Sequence, residues 1–280
     1  MFLALILVAN LKYSVSYQPL VSIVTIVYNG EKHLEQTIKS VLNQTYSKIE
    51  YIIIDGGSTD KSPEIIKKHS NSIAYWISEK DNGVSDAFNK GISKASGDII
   101  GLINADDWYE ETAVEKVINT IEDNDVAYGN LRYWKNERKD MIVEGSHIYL
   151  NREMTLNHPT VFIKSYCYKK LGGFNKDYKY AMDYELLVRL LVNNCSFIHI
   201  PFTIANMRWE GISDKQWRNA CLEVLLIKNK YWPEKKNENK IYYYKQINAI
   251  KLSKFLHKIR FHKTIKFYRK YLSPLKKRYD

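Results

Sequence analysis

Four short stretches of this chain combine acids, amides and glycines in a way that suits phosphate-bearing or hydroxyl-bearing ligands. They are Tyr28-Asn29-Gly30, Asp55-Gly56-Gly57, Asp81-Asn82-Gly83 and Asn104-Ala105-Asp106-Asp107. Carboxylates such as those of the last stretch are hard oxygen ligands, suited to a Mg²⁺ or Mn²⁺ ion shared with substrate phosphates. Asp107, placed before Trp108-Tyr109-Glu110-Glu111, would also cap a following helix, and both roles hold if Asp106 takes the metal. Asp55 either accepts from a base or ribose donor or shapes the turn into Gly56-Gly57. Asp183 and Glu185 open a helical run, where acids are ordinary; the chemical alternative is a general base within ~3 Å of a hydroxyl. His158 and Arg208 are candidates to meet an anionic leaving group, against a packed imidazole and a solvated guanidinium. Asp86 and Asn89 sit near a helix start that favours them regardless.

These stretches need elements to position them. Val21 to Val27 is a β-branched run too short for a helix and reads as a buried strand. An amphipathic helix from Glu31 to Asn43 follows, with Leu34, Ile38, Val41 and Leu42 on one face. Tyr51–Ile54, Ile73–Ile77 and Ile99–Ile103 read as further strands, with helices after Ser62-Pro63 and over Val84–Ala95. Strand alternating with helix predicts an α/β fold, a mostly parallel sheet covered on both faces. Ligands of such sheets bind outside the carboxyl ends of the strands, where all four stretches fall. The sequence holds neither G-x-G-x-x-G nor G-x-x-x-x-G-K-[ST], which argues against dinucleotide redox and P-loop chemistry. No local motif signals a Ser-His-Asp or Cys-His nucleophile.

Composition bounds the rest. With 280 residues, 45% hydrophobic and 26% charged, the chain is ordinary globular material, and 22 Tyr, 9 Phe and 6 Trp exclude a disordered or collagen-like reading. Cys167, Cys195 and Cys221 form neither a disulfide framework nor a C-x-x-C pair, which favours a reducing compartment. The net charge of +11 is concentrated at one end: from Lys235 to Asp280 there are fifteen Lys or Arg against two acids, leaving 27 bases and 29 acids in the remainder. We therefore divide the chain into a short apolar N-terminal segment (1–18), a catalytic-type α/β domain (19–234) and a basic tail (235–280). Phe2–Ala9 is an apolar run of eight residues, short of the ~20 needed for a span, and no basic residue precedes it as in a signal peptide.

Taken in order, VSIVTIVYNGE, SVLNQTY, EYIIIDGGSTD, DNGVSDAFNKGI, ASGDIIGLINADD, LGGF and MDYELLVRL resemble family 2 glycosyltransferases of the GT-A fold, over about residues 19–215. The resemblance implies inverting transfer of a sugar from a nucleotide-sugar, usually UDP-linked, to an acceptor hydroxyl with Mg²⁺ or Mn²⁺. By motif match it implies that Thr25, Tyr28 and Glu31 form the first nucleotide-contacting loop and that Asp55 reads the base. Asp106 resembles the metal-binding acid of D-x-D, and Asp183 the catalytic base of the late E-D motif. Asn104 stands where the first acid of D-x-D is usual, Gly56 replaces the second acid of D-D-G-S, Phe88 the Arg of S-x-A-R-N, and Met182 the E of E-D. These variants resemble a subgroup of bacterial polysaccharide assembly. The donor-binding set expected is thus Thr25, Tyr28, Glu31, Asp55, Asn104 and Arg208, with Asp106 for metal and Asp183 as base.

Two other functions compete. A sugar nucleotidyltransferase would want a Gly-rich loop with Arg after the first strand, which Val27-Tyr28-Asn29-Gly30-Glu31 lacks. An inactive core presenting a basic tail to nucleic acid is permitted by the tail's interleaved Tyr and Lys, but nucleic acid is the less favoured partner. Within the tail, Leu252, Phe255, Leu256 and Ile259 form one helical stripe and Phe261, Ile265, Tyr268 and Leu272 a second on the opposite face. This predicts two basic amphipathic helices with a break near Arg260, of the kind that lies in a membrane interface. The expected setting is a cytoplasmic enzyme, peripheral at the inner face of the plasma membrane, acting on a saccharide or lipid-linked saccharide.

Overall fold

The computed structural model describes residues 18–135, 138–208 and 216–258. Four strands, β1 (Val21–Val27), β2 (Ile49–Asp55), β3 (Tyr75–Ser78) and β4 (Ile99–Asn104), lie parallel in the order β3-β2-β1-β4. They alternate with α1 (Leu34–Leu42), α2 (Ser62–Lys68) and α3 (Val84–Lys94). The β1 strand is buried at every residue, as its unbroken β-branched run requires. The sheet then changes character. β8 (Val161–Lys164) is antiparallel to β4 and to β6 (Val126–Lys135), while β6 runs parallel to β9 (Phe197–Arg208). β5 (Trp108–Tyr109) pairs antiparallel with β9, and β7 (Arg138–Val143) with β6.

Helices cover both faces. Period-2 alternation sends Ile23 and Val27 to a core with α1, α2 and α4 (Ala113–Ile121). Val24 and Ile26 face a second core shared with α3, α5 (Ser165–Leu171) and α6 (Met182–Val192). Two further helices, α7 (Trp217–Tyr231) and α8 (Lys236–Lys258), are joined by a short turn at Pro233–Lys235 and pack against one another. Among the described residues no helix is long and apolar enough to cross a membrane.

Three expected elements shift. The first helix begins at Leu34 instead of Glu31, because residues 31–33 form a turn closed on the Gly30 carbonyl. The third strand is Tyr75–Ser78 instead of Ile73–Ile77. Asp107 caps no helix: Trp108 and Tyr109 are pulled into β5 by pairing with Asn206 and Ala205, and the next helix starts at Ala113. The predicted break near Arg260 and the second tail stripe lie outside the described residues.

A latch between α3 and the loop before α6 holds α6 in place. Asn89 of α3 accepts the Phe174 N–H (2.7 Å) and donates to the Phe174 carbonyl (2.8 Å). Gly173 makes this possible, since a Cβ there would lie 2.2 Å from Asn89 Oδ1. Arg189 of α6 donates to the carbonyls of Leu171, Gly172 and Gly173 and is backed by the buried Glu185 carboxylate at 2.9 Å. Asn89 thus sews a loop, without which its amide would remain a surface helix residue.

Asn89→Ala leaves the Phe174 N–H without its acceptor, so we expect a loss of about 1–3 kcal/mol, read as a lower urea midpoint with unchanged m-value. A second substitution tests the core. Gly101 of β4 faces Phe162 of β8 in register, and a Cβ at 101 would meet Phe162 Cε1 at 2.5 Å and Ile23 Cδ1 at 3.0 Å. Gly101→Ala gains ~0.5–1 kcal/mol by restricting the unfolded chain. Overpacking costs about 1–3 kcal/mol, so net destabilisation is expected, partly relieved by Phe162→Leu in the same chain.

Candidate functional site

The parallel register brings the four ligand-type stretches to one rim. Val27 pairs with Asp55, and Ile26 with Asn104, so the ends of β1, β2 and β4 are level. The rim is stitched across strands. Asn29, at φ 51°, donates its N–H to Ser58 Oγ (2.7 Å) and accepts the Thr59 N–H at its Oδ1 (2.9 Å). Gly30 N–H donates to Ser62 Oγ, Glu31 N–H to Asp60, and the Glu31 carboxylate accepts the Lys61 N–H. Tyr28 stands 68% exposed above this seam.

Asp55 is fully buried and its oxygens are engaged. The Ser58 N–H, the Ser58 hydroxyl and the Ser78 hydroxyl all donate to them. Its role in the structure is to fold the β2–α2 loop. Gly56 explains the missing second acid. A Cβ on Gly56 would lie 2.4 Å from Asp81 Oδ2, so the absence of a side chain admits the Asp81 carboxylate beside the end of β2. Asp81 Oδ1 accepts the Gly83 N–H at 2.8 Å. Position 81 belongs to one of the four strand-end stretches, but no signal in the sequence ties it to Gly56.

The Asn104–Asp107 turn is gripped from two sides. The Thr37 hydroxyl of α1 donates to the carbonyls of Ala105 (2.8 Å) and Asp107 (2.6 Å). Arg208, at the end of β9, donates to the Asp106 carbonyl (2.5 Å) and to Gln36 Oε1 (2.6 Å), and its guanidinium stacks on Trp108 at 4.5 Å. Pairing of β5 with β9 sets this contact. Asp106 is exposed, whereas Asp107 is buried, with Oδ2 3.3 Å from Asn104 Nδ2 and Oδ1 unpartnered among the described residues. Burial and the adjacent Asp106 charge push the Asp107 carboxyl well above the usual range. An exposed carboxylate next to a buried, incompletely bonded one and an amide oxygen fits a hard divalent cation that keeps open positions for phosphate or water. Among the described residues no cluster of three or more His, Cys, Asp or Glu forms a closed protein cage.

Asp183 is the second residue of α6, where its Oδ1 accepts the Tyr184 N–H (2.8 Å), and it borders a cavity of about 10 Å³ with His158, Tyr168 and Leu102. Leu102 is two residues before Asn104, so Asp183 attends the face of β4 toward which Asn104 also points. Burial raises the Asp183 carboxyl to about 6, with a smaller push from Glu223.

Two expectations are corrected. Thr25 does not reach the rim: it is fully buried in mid-strand, its hydroxyl 3.0 Å from that of Tyr51, because position 25 shares the inward phase of Ile23 and Val27. His158 is packed against Phe88 at 4.9 Å and Phe174 at 6.1 Å, and burial lowers its pKa to about 4, so at neutral pH it has no charge to offer a leaving group. Tyr28, Glu31, Asp55, Asn104, Asp106 and Arg208 do gather at the rim.

Comparison with known proteins agrees with this geometry. Residues 22–183 match the model of the family described as glycosyl transferase family 2. An uncharacterised glycosyltransferase of Rickettsia typhi is 30% identical over 226 residues, covering 75% of this chain and 69% of the relative. One from Mycobacterium tuberculosis is 32% identical over 179 residues, covering 61% and 68%. Among solved structures, Staphylococcus aureus TarS 1-349 in complex with UDP-GlcNAc aligns with TM-score 0.61 and 18% identity, over 74% of this chain and 65% of TarS 1-349. The mannosyltransferase PcManGT of Pyrobaculum calidifontis, in complex with GDP-Man and Mn²⁺, aligns with TM-score 0.63 and 17% identity, over 81% and 70%. The likeness to these structures gives the GT-A fold. A strand-end rim of this composition, on this fold, in a chain whose family model spans β1 to β4 and ends at Asp183, makes the protein a glycosyltransferase belonging to glycosyl transferase family 2.

Proposed function

We propose that this enzyme transfers a sugar, with inversion, from a UDP-linked donor to an acceptor hydroxyl in the assembly of cell-surface polysaccharide or glycolipid. The observation that carries the reading is the rim itself: Tyr28, Glu31, Asn104, Asp106 and Arg208 converge where four parallel strands end. The UDP-GlcNAc complex of TarS and the GDP-Man complex of PcManGT support a nucleotide-sugar in that position. Tyr28 and the Asn29–Asp60 seam would hold the nucleoside side of the donor, with Asp55 rigidifying the seam from below. Asp106, with Asn104 beside it, would hold a Mg²⁺ or Mn²⁺ ion, which when bound offsets the charge of the diphosphate. Arg208, already at the Asp106 carbonyl, adds a fixed positive charge on the same side.

Asp183 acts as the general base. The acceptor oxygen bonds to the anomeric carbon as its proton passes to the Asp183 carboxylate and the bond from that carbon to the diphosphate oxygen breaks. A single displacement with one base inverts the configuration. A carboxyl raised to about 6 is a stronger base than one at 3.8 while still ionised at neutral pH. The acceptor is a saccharide or lipid-linked saccharide, and the enzyme works from the cytoplasmic face of the plasma membrane, to which the basic tail draws it.

Two measurements test this. First, release of UDP coupled to acceptor glycosylation should lose kcat/KM on acidification through an apparent pKa of about 6, because protonation removes the base. Asp183→Asn should lower transfer by roughly 10²–10⁴ at pH 7.5 while UDP affinity stays near the wild-type value. Undiminished transfer would exclude Asp183. Second, Asp106→Ala should weaken UDP binding in Mn²⁺ by about tenfold or more by calorimetry, with little change in EDTA. A wild-type enzyme indifferent to EDTA would exclude the metal.

A further inference from the structure

Helix α8 has a buried side and an open side. Its inner residues hold it to the protein: Asn239 donates to Asn229 Oδ1 of α7 at 3.2 Å, Tyr242 lies 4.0 Å beneath the Lys228 ammonium, and Ile247 is buried. On the other side stand Ile241, Tyr244, Leu252 and Phe255, exposed by 56%, 53%, 44% and 59%. At 100° per residue these four fall within an arc of about 80°, with exposed Asn248 at its middle. Exposed Lys245 borders the arc on one side, and exposed Lys240 and Lys251 border it on the other. Apolar residues on a packed amphipathic helix ordinarily face inward; here they face outward with cationic margins.

We propose that this outward stripe of α8 is a docking surface for an anionic lipid bilayer, the apolar four entering the interface while Lys240, Lys245 and Lys251 meet the head groups. The inference rests on the reading of the enzyme as one that acts at a membrane, and it supplies the residues that touch the lipid. Charge selects the occupant. Helix α8 carries six lysines against one glutamate, and residues 259–280 carry eight Lys or Arg against one aspartate. Neither the remaining tail nor a second copy of α8 complements a lysine-bordered stripe, whereas an anionic leaflet does. Apolar side chains of this size between lysine margins are the composition of helices that lie in the plane of the interface, buried to their apolar face and no deeper.

The test is co-sedimentation of the full chain with vesicles of phosphatidylcholine alone or with phosphatidylglycerol, at low and high salt. Binding to the anionic vesicles is expected, weakened by salt. Ile241→Ser/Tyr244→Ser/Leu252→Ser/Phe255→Ser should lower the partition coefficient by about tenfold or more. Lys240→Gln/Lys245→Gln/Lys251→Gln should lower it by up to about a hundredfold and remove most of the preference for anionic lipid. All seven residues are exposed, so both variants should keep the wild-type melting temperature. Wild-type binding by the serine variant would overturn the proposal, as would absence of binding by the wild type. A wild-type dimer that the serine variant dissociates, in a chain that ignores vesicles, would assign the stripe to self-association instead. UDP release from donor without vesicles, measured on the same samples, should be equal in all variants; its absence in the wild type counts against the proposed reaction and leaves the lipid result standing.

Discussion

Hydrogen bonding of β1 along both edges is the constraint from which the rest follows. Its partners are parallel on either side, and their registers make Val27 level with Asp55 and Ile26 level with Asn104. A one-residue slip of either neighbour would turn its side chains to the opposite face, exchanging Ile52 and Ile54 with Tyr51 and Ile53 between two differently shaped cores. Burial on both faces therefore fixes register, and register fixes which loops share a rim. The polar seam of Asn29, Ser58, Thr59 and Asp60 can then be made of short side chains, because the strands have already brought the backbones together.

The buried and half-buried carboxylates of the protein divide by what satisfies them. Asp55 is satisfied by hydroxyl and amide donors, and Glu185 by Arg189 and the Tyr231 hydroxyl at 2.5 Å. In both, removing a partner would strand a charge away from water. Asp107 and Asp183 are held less completely, and their carboxyls are raised. Such groups are energetically costly to keep, and they occur where binding or proton transfer makes up the cost. These two flank the β4 strand, one beyond its end and one beside its body.

The parallel half of the sheet was legible in the sequence because its strands are continuous apolar runs bounded by Asn, Asp and Gly. The mixed half was not. β5 has two residues and no period, and it exists because β9, about a hundred residues later, offers it an edge. The same absence of a local signal hid the grip of Thr37 and Arg208 on the 105–107 turn and the bond of Asn89 to Phe174. Thr25 was misassigned although its phase was available: residues 23, 25 and 27 share one side of a strand buried throughout. His158 was weighed as a cation, and only the two phenylalanines packed on it decide that it is neutral. In the tail, periodicity placed Leu252 and Phe255 on one stripe, and both stand exposed, whereas Ile241 and Tyr244, a turn or more upstream on the same face, carried no such reading.

Gly56 and Asp81 occupy one volume between them. A side chain on the first would have its Cβ 2.4 Å from a carboxylate oxygen of the second, so any residue larger than glycine at 56 requires the Asp81 carboxylate to turn aside. An acid in place of Gly56 would require Asp81 to turn away, and the negative charge would then reach the rim from β2. In this chain the charge reaches the same corner from the β3 loop. Two positions 25 residues apart in the sequence thus share one corner of the rim, and a single carboxylate fills it.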